Sequence, residues 1–181
     1  MIEFELKAKV DDLGDVREAL VAHGARRDGA REEHDVYYNH PSRDFAVTDE
    51  ALRVRYAGGS AVMTYKGAKL PGTRLKAREE LNLAVEDGNV LETVLARLGF
   101  RVTAVVLKRR ELWTLGDASV ALDEVESLGT FAEVEILGDA DGGETEERVH
   151  RLAHALGITG PAITASYLEL VLEARARSRA G

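Results

Sequence analysis

Residues 2–10 alternate without a break: Ile2, Phe4, Leu6, Ala8 and Val10 share one side of an extended chain, and Glu3, Glu5, Lys7 and Lys9 share the other. Period two marks a strand, because successive side chains point to opposite faces of a sheet. Here one face is wholly apolar and the other wholly charged. The division recurs along the chain. Arg53 and Arg55 alternate with Leu52, Val54 and Tyr56, and Lys66 shares the parity of Thr64. Arg78, Glu80 and Asn82 share a face, as do Lys108 and Arg110; Asp123 lies on the following segment, and Glu133 and Glu135 on the one after. A single sheet with one solvated face accounts for the alternation. The sorting by sign argues for something else. Carboxylates come in pairs (Glu3 with Glu5, Glu133 with Glu135) and bases in pairs (Arg53 with Arg55, Lys108 with Arg110). A merely solvated face tends to intersperse opposite charges, since like charges directly across a ladder are destabilising.

If the sheet closes with this face inward, like charges repel within each group unless a ligand relieves them. The ligand implied is a polyanion together with a cation. Arg forks and Lys ammoniums suit phosphate oxygens, whereas carboxylates two residues apart on one strand face suit Mg²⁺ or Mn²⁺, hard ions that take oxygen ligands.

The remaining segments organise into one domain over 1–174, as expected for a chain of 181 residues. Asp12 caps a helix over 13–23 with Leu13, Val16 and Leu20 inward and Gly24 as the stop. A strand ends in Val36-Tyr37-Tyr38, 39–42 turns, and 51–57 with 61–67 form a hairpin about Gly58-Gly59-Ser60. Residues 68–73 read as a mobile loop, 77–85 as a strand and 89–98 as a helix ended by Gly99. A meander follows over 101–114, 119–125 and 131–137, then a helix over 144–156 and another over 166–174. The Arg-rich stretch 175–181 reads as a frayed tail. Many antiparallel strands with a few helices indicate α+β.

Composition narrows the function. With no cysteine there is no disulfide, thiolate metal site or cysteine nucleophile, so any metal is held by oxygen or imidazole. A net charge of −8 opposes a general nucleic-acid or anionic-membrane surface. No apolar run approaches the ~20 residues that span a bilayer, and the acidic N-terminus lacks a secretory pattern, which leads us to expect a cytoplasmic protein. His150 and His154 have helical i, i+4 spacing but no third ligand, and read as a helix surface pair. Gly58-Gly59 and Gly142-Gly143 are turns without a phosphate-loop context. Trp113 has the parity opposite to Lys108 and Arg110, so it points away from the charged face.

The ordered motifs resemble the CYTH superfamily of triphosphate tunnel metalloenzymes, and most of all its class IV adenylyl cyclase, or CyaB-type, branch. The resemblance starts at Glu3-Phe4-Glu5-Leu6-Lys7 and continues through His34-Asp35-Val36-Tyr37-Tyr38-Asn39, Leu52-Arg53-Val54-Arg55, Thr64-Tyr65-Lys66-Gly67 and Arg78-Glu79-Glu80. In the second half it takes in Leu107-Lys108-Arg109-Arg110, Leu122-Asp123-Glu124-Val125, Phe131-Ala132-Glu133-Val134-Glu135 and Ser166-Tyr167. It departs at Asn39, where relatives often carry an acid, and at Thr48-Asp49-Glu50, where a glycine is usual.

What the resemblance implies is a closed, eight-stranded antiparallel β-barrel with helices packed outside. Lys7, Arg53, Arg55, Lys66, Arg78, Lys108 and Arg110 would grip the triphosphate. Glu3, Glu5, Asp123, Glu133 and Glu135 would hold Mg²⁺ or Mn²⁺, and Glu80 would either orient a neighbouring base or touch metal. ATP would be converted to 3′,5′-cyclic AMP and pyrophosphate. The same tunnel serves hydrolysis of tripolyphosphate, a nucleoside triphosphate or thiamine triphosphate, and a non-catalytic binder is the third reading. The resemblance also implies a homodimer through the apolar outer surface, which the sequence does not itself specify.

Overall fold

The structure, a computed structural model of the full chain, describes residues 2–69, 76–138 and 143–180. Most of the expected loop at 68–73, and Gly142 of the expected turn, lie outside those residues. In chain order the elements are β1 (Ile2–Lys9), α1 (Leu13–Ala22), β2 (Arg26–Asn39), α2 (Phe45–Thr48), β3 (Ala51–Ala57), β4 (Ser60–Lys66) and β5 (Lys76–Arg78). There follow β6 (Glu80–Val85), α3 (Gly88–Arg97), β7 (Arg101–Leu115), β8 (Ala118–Val125), β9 (Gly129–Gly138), α4 (Gly143–Ala155) and α5 (Tyr167–Ala180).

The strands make one antiparallel sheet in the order β5-β1-β9-β8-β7-β2-β3-β4-β6. Its two edges are neighbours in the chain, parted by Glu79 alone. The segment expected as one strand over 77–85 pairs with β1 before Glu79 and with β4 after it. Eight antiparallel pairings separate the two parts around the sheet, so β5 and β6 run in the same direction and the strand is only interrupted at Glu79, whose carbonyl accepts from the Gly67 amide at 3.0 Å. Among the described residues no ladder joins β5 to β6. The expected closed barrel is therefore a curled sheet whose edges meet through the chain; with β5 and β6 taken as one broken strand, it has the expected eight.

Local chemistry explains most boundaries. Asp12 accepts from the Gly14 amide at 2.6 Å and starts α1, and Asp87 accepts from Asn89 and Val90 to start α3. Gly58 and Gly59 turn the β3–β4 hairpin with φ of 56° and 81°, a conformation that suits glycine because it lacks a β-carbon. At Gly88 there is no room for a β-carbon against the Tyr56 ring, and this lets α3 lie close on β3. The early half of β2 escapes sequence pattern because residues 26–33 are mostly charged and lack period-two alternation.

Three apolar clusters follow from the alternation. The outer faces of β1, β8 and β9 pack Phe4, Leu6, Leu122 and Val134 against Leu20 of α1 and Val149 of α4. Trp113 is in this cluster, away from the charged face as expected. Val36, Leu52 and Val54 face Leu95 of α3 on the other outer flank. The third cluster corrects the expectation that all helices lie outside. Tyr167 and Val171 of α5 pack with Tyr37, Val106, Val125 and Phe131, which have the parity of the charged, concave face. Toward the β8–β9 turn that face is apolar, and α5 covers it. The helix is fastened at its start by a capping box: Ser166 Oγ accepts from the Glu169 amide at 3.2 Å and Glu169 Oε2 from the Ser166 amide at 2.6 Å. It also runs on to Ala180, through the stretch expected to fray.

Buried and exposed neighbours on α5 test this docking. Val171 is 5% exposed and Leu172 40%. Val171→Ala should cost about 2 kcal/mol, from two lost methyl-sized groups and the space they leave. Leu172→Ala should cost about 0.5 kcal/mol or less. Urea midpoints of the two variants measure the difference, and equal losses would mean that α5 is not seated on the sheet.

Candidate functional site: a two-walled charged lumen

Within the curl is a cavity of about 110 Å³, and the strand register divides its lining by sign. Glu3 and Glu5 of β1, Glu133 and Glu135 of β9 and Glu80 of β6 form an acidic wall. Arg53 and Arg55 of β3, Lys66 of β4, Arg78 of β5, and Lys108 and Arg110 of β7 form a basic one, with Lys7 of β1 between the two and Tyr37, Ala51, Ser166 and Tyr167 completing the lining. Eleven of the twelve residues singled out from sequence thus converge on one small space, Asp123 being the exception. A roomier groove of about 810 Å³ lies by the β3–β4 and β8–β9 turns. It shares only Lys108 with the lumen lining.

The basic wall is held by two carboxylates that sequence reasoning gave no role, Glu33 and Asp35 of β2. Asp35 is fully buried and accepts from Arg55 Nε at 2.6 Å, Arg55 NH2 at 2.7 Å and Lys108 Nζ at 2.9 Å. Glu33 lies 2.9 Å from Lys108 Nζ, 3.0 Å from Arg55 and 2.8 Å from Arg31. Burial opposes ionisation of both. It is outweighed at Glu33 by Lys108, Arg110 and Arg55, which hold the carboxyl down at about 2, and at Asp35 by Arg55, Arg53 and Lys108, which hold it well below the usual range. Lys108 is itself pushed down by burial and by the neighbouring Arg110 and Arg55, against the pull of Asp35 and Glu33. Arg53 donates to Thr64 Oγ1 at 3.2 Å, and Thr64 donates onward to Asn82 Oδ1 at 2.7 Å.

The acidic wall is differently balanced. Glu5 and Glu135 stand directly opposite each other across β1 and β9, as do Lys7 and Glu133. Lys7 lies 3.1 Å from Glu5 and 3.3 Å from Glu133, Lys66 bonds Glu80, and Arg110 bonds Glu133. Among the described residues these three cations bond the wall, and Arg110 is shared with Asp123. Crowding of the carboxylates appears in their titration. Burial, then Glu135, Glu80 and Glu5, push the Glu3 carboxyl up to about 8 despite Lys66. Burial, then Glu5, Glu133 and Glu80, push Glu135 up to about 7.

Asp123 stands behind the lining, fully buried, and accepts from Arg110 at 2.7 and 2.5 Å and from the Tyr167 hydroxyl at 2.7 Å. Tyr167 brings its ring centroid to 4.4 Å from Lys7 Nζ. The Lys7 ammonium also donates to the Ala165 carbonyl at 3.2 Å. At the rim, Lys69 Nζ bridges Asp49 and Glu169 at 3.0 Å each, and Arg78 reaches Asp49 at 3.4 Å. Asp49, part of the triplet that departs from the family pattern, therefore ties the rim together. A signal for β2 existed in the sequence: Glu33 and Asp35 alternate with His34 and Val36 at the charged parity.

Raised carboxyls make the unliganded fold sensitive to alkali. Glu3 titrates near 8 when folded, against an ordinary value of 4.5, so the native state binds the extra proton between those values and loses stability as pH rises through them. Glu3→Gln removes that titration. Melting temperatures at pH 5, 6.5 and 8 should fall less steeply in the variant than in the wild type; parallel curves would mean that the acidic wall carries no such strain.

Comparison with known proteins agrees with this geometry. The CYTH domain family matches residues 1–165. A Methanocaldococcus jannaschii protein, MJ0240, provisionally named an adenylate cyclase, is 36% identical over 94% of this chain and 98% of its own. The adenylate cyclase CyaB of Aeromonas hydrophila is 26% identical over 77% of this chain and 72% of its own. The solved structure of PH1819 from Pyrococcus horikoshii superposes with a TM-score of 0.86 at 35% identity, covering 94% of this chain and 98% of that one. Fold, lumen and relatives together place the chain in the CYTH family, near its CyaB-type members.

Proposed function

We propose that this CYTH protein is a metal-dependent triphosphate-processing enzyme and, more narrowly, a class IV adenylate cyclase that converts ATP to 3′,5′-cyclic AMP and pyrophosphate. The observation that carries the reading is the pairing in one lumen of a rigid basic wall with an acidic wall whose Glu3 and Glu135 are pushed up by burial and by neighbouring carboxylates. A triphosphate with a divalent ion supplies what each wall lacks.

In this reading Lys7, Arg53, Arg55, Lys66, Arg78, Lys108 and Arg110 hold the triphosphate. Asp35 and Glu33 fix Arg55 and Lys108 before any ligand arrives, so little reorganisation is required as charge shifts during phosphoryl transfer. The 3′-hydroxyl oxygen gives up its proton to water and joins the α-phosphorus, the bond from that phosphorus to the oxygen bridging the β-phosphate breaks, and the basic wall holds the departing pyrophosphate.

Glu3, Glu5, Glu133 and Glu135 are the candidate ligands for Mg²⁺ or Mn²⁺. Among the described residues no group of three or more His, Cys, Asp or Glu is arranged as a complete cage. Mg²⁺ retains water and binds through one or two carboxylates plus substrate phosphate. The high-titrating Glu3 and Glu135 are the pair that gains most from such an ion. When bound, the ion lowers the pKa of the attacking hydroxyl and offsets charge on the leaving group. Asp123, whose oxygens are taken by Arg110 and Tyr167, serves as a positioning residue for Arg110. Glu80 orients Lys66.

One observation favours a second reading. A space of about 110 Å³ suits a phosphate chain rather than a whole nucleotide. The same walls could direct water at a terminal phosphate, giving triphosphate hydrolysis.

The deciding experiment incubates the protein with ATP, and separately with tripolyphosphate, in Mg²⁺ or Mn²⁺, and resolves cyclic AMP, pyrophosphate and orthophosphate. Cyclic AMP with pyrophosphate is expected from ATP; orthophosphate without cyclic AMP would sink the cyclase reading and retain the hydrolase. Lys66→Ala should lower turnover by about 10²–10³, the usual loss on removing a donor that stabilises transition-state charge. With saturating metal and triphosphate the wild type should melt higher by ligand linkage, and Lys66→Ala and Glu5→Ala should each shrink that shift. An unchanged wild-type melting curve would count against an occupied lumen altogether.

A further inference from the structure

The triphosphate reading leaves open where the rest of a nucleotide lies, since the lumen holds about 110 Å³. Two exits are obstructed. At the rim, Arg78, Asp49, Lys69 and Glu169 are linked across the opening. Toward the β8–β9 turn, Lys108 with Glu33, and Tyr167 over Phe131, fill the concave face. The flank along β6 is different. Asn82 and Ala84 have the inward parity of Glu80, yet both are exposed, as are Leu81 and Leu83 on the opposite face of the strand. Among the described residues β6 pairs with β4 alone and β1 reaches only β5, so the far edge of β6 is open.

Asn82 sits on that opening, two residues and therefore about 6–7 Å along the strand from Glu80 of the lumen lining. Its amide is oriented by the network behind it. Arg53 can only donate, so Thr64 Oγ1 accepts from it and turns its own proton to Asn82 Oδ1. Thr64 is fully buried, and the relay starts on an arginine of the basic wall. The Asn82 carbonyl is thereby engaged inward, and its NH2 is presented as a donor at the opening.

We infer that Asn82 is a specificity residue for the organic end of the substrate: its NH2 donates to an acceptor on the sugar or base of a nucleoside triphosphate that leaves the lumen beside β6. The inference rests on the lumen being a triphosphate site and adds that the enzyme distinguishes a nucleotide from inorganic triphosphate at this position. Ala84, one inward position further on, leaves space for the ring.

The test compares isothermal titrations of wild type, Asn82→Ala and Asn82→Asp with a methylene-bridged ATP analogue and with the corresponding methylene-bridged inorganic triphosphate, each in Mg²⁺. Losing one neutral hydrogen bond should lower the ratio of nucleotide to inorganic affinity by about five- to tenfold in Asn82→Ala. Asn82→Asp keeps an acceptor for Thr64 while removing the donor, and should lower the ratio by at least as much. A ratio unchanged within about twofold in either variant, or equal losses for both ligands, overturns the assignment. Wild-type protein that binds neither ligand overturns the reading of the lumen itself, and this inference with it.

Discussion

The fold depends on the pairing of Asp35 and Glu33 with Arg55 and Lys108. Bringing a row of cations into one small interior is costly, because each ion loses its hydration and neighbouring like charges repel in a medium of low dielectric. β2 lies between β7 and β3 in the sheet, so carboxylates on its concave face can reach bases on both sides. Without them β3 and β7 would repel across that face, and the sheet could not curl tightly there. The long β2–β7 pairing, carried from Arg26 to Asn39, supplies the rigid backbone that keeps these groups in register.

The opposite wall shows what the first would be without such partners. Across β1 and β9 the register sets Glu5 against Glu135, a like-charge pair that a purely structural sheet would avoid. The two halves of the lumen thus differ in where their neutralisation comes from. Asp35 and Glu33 supply it to the bases, whereas Glu3 and Glu135 are pushed up by burial and by the carboxylates beside them. An anion meeting the basic wall encounters groups already in position, whereas the acidic wall is settled only when a cation arrives. That asymmetry links the architecture to the chemistry of a CYTH protein more directly than any single side chain does.

Much of this was legible in the sequence because period-two alternation reports which side chains share a face, whatever the topology. Glu3, Glu5, Lys7, Arg53, Arg55, Lys66, Lys108, Arg110, Glu133 and Glu135 meet in the lumen for that reason. Asp123 has the same parity but lies one layer deeper, because Arg110 occupies the space in front of it. Parity cannot rank depth. Glu33 and Asp35 were obscured by the charged run before them, where polar residues on both sides of the strand hide the period. The break at Glu79 was illegible for a different reason: residues 77–85 alternate much as one strand would, and only the competing pairings with β1 and β4 split them. The inward seat of α5 escaped because Val106, Val125 and Phe131 read as ordinary core and carry no mark of the surface they face.

The seating of α5 also joins distant parts of the sequence. The Lys7 ammonium of β1 rests under Tyr167 and bonds the Ala165 carbonyl, while its backbone carbonyl accepts from the Ile163 amide at 2.7 Å. The family match ends at residue 165, just short of Tyr167. Contacts of such long sequence separation slow folding, and here they tie the most expensive desolvation to the closing of the largest loop. The charge on Lys7 is sealed from water only when β1 and α5 meet.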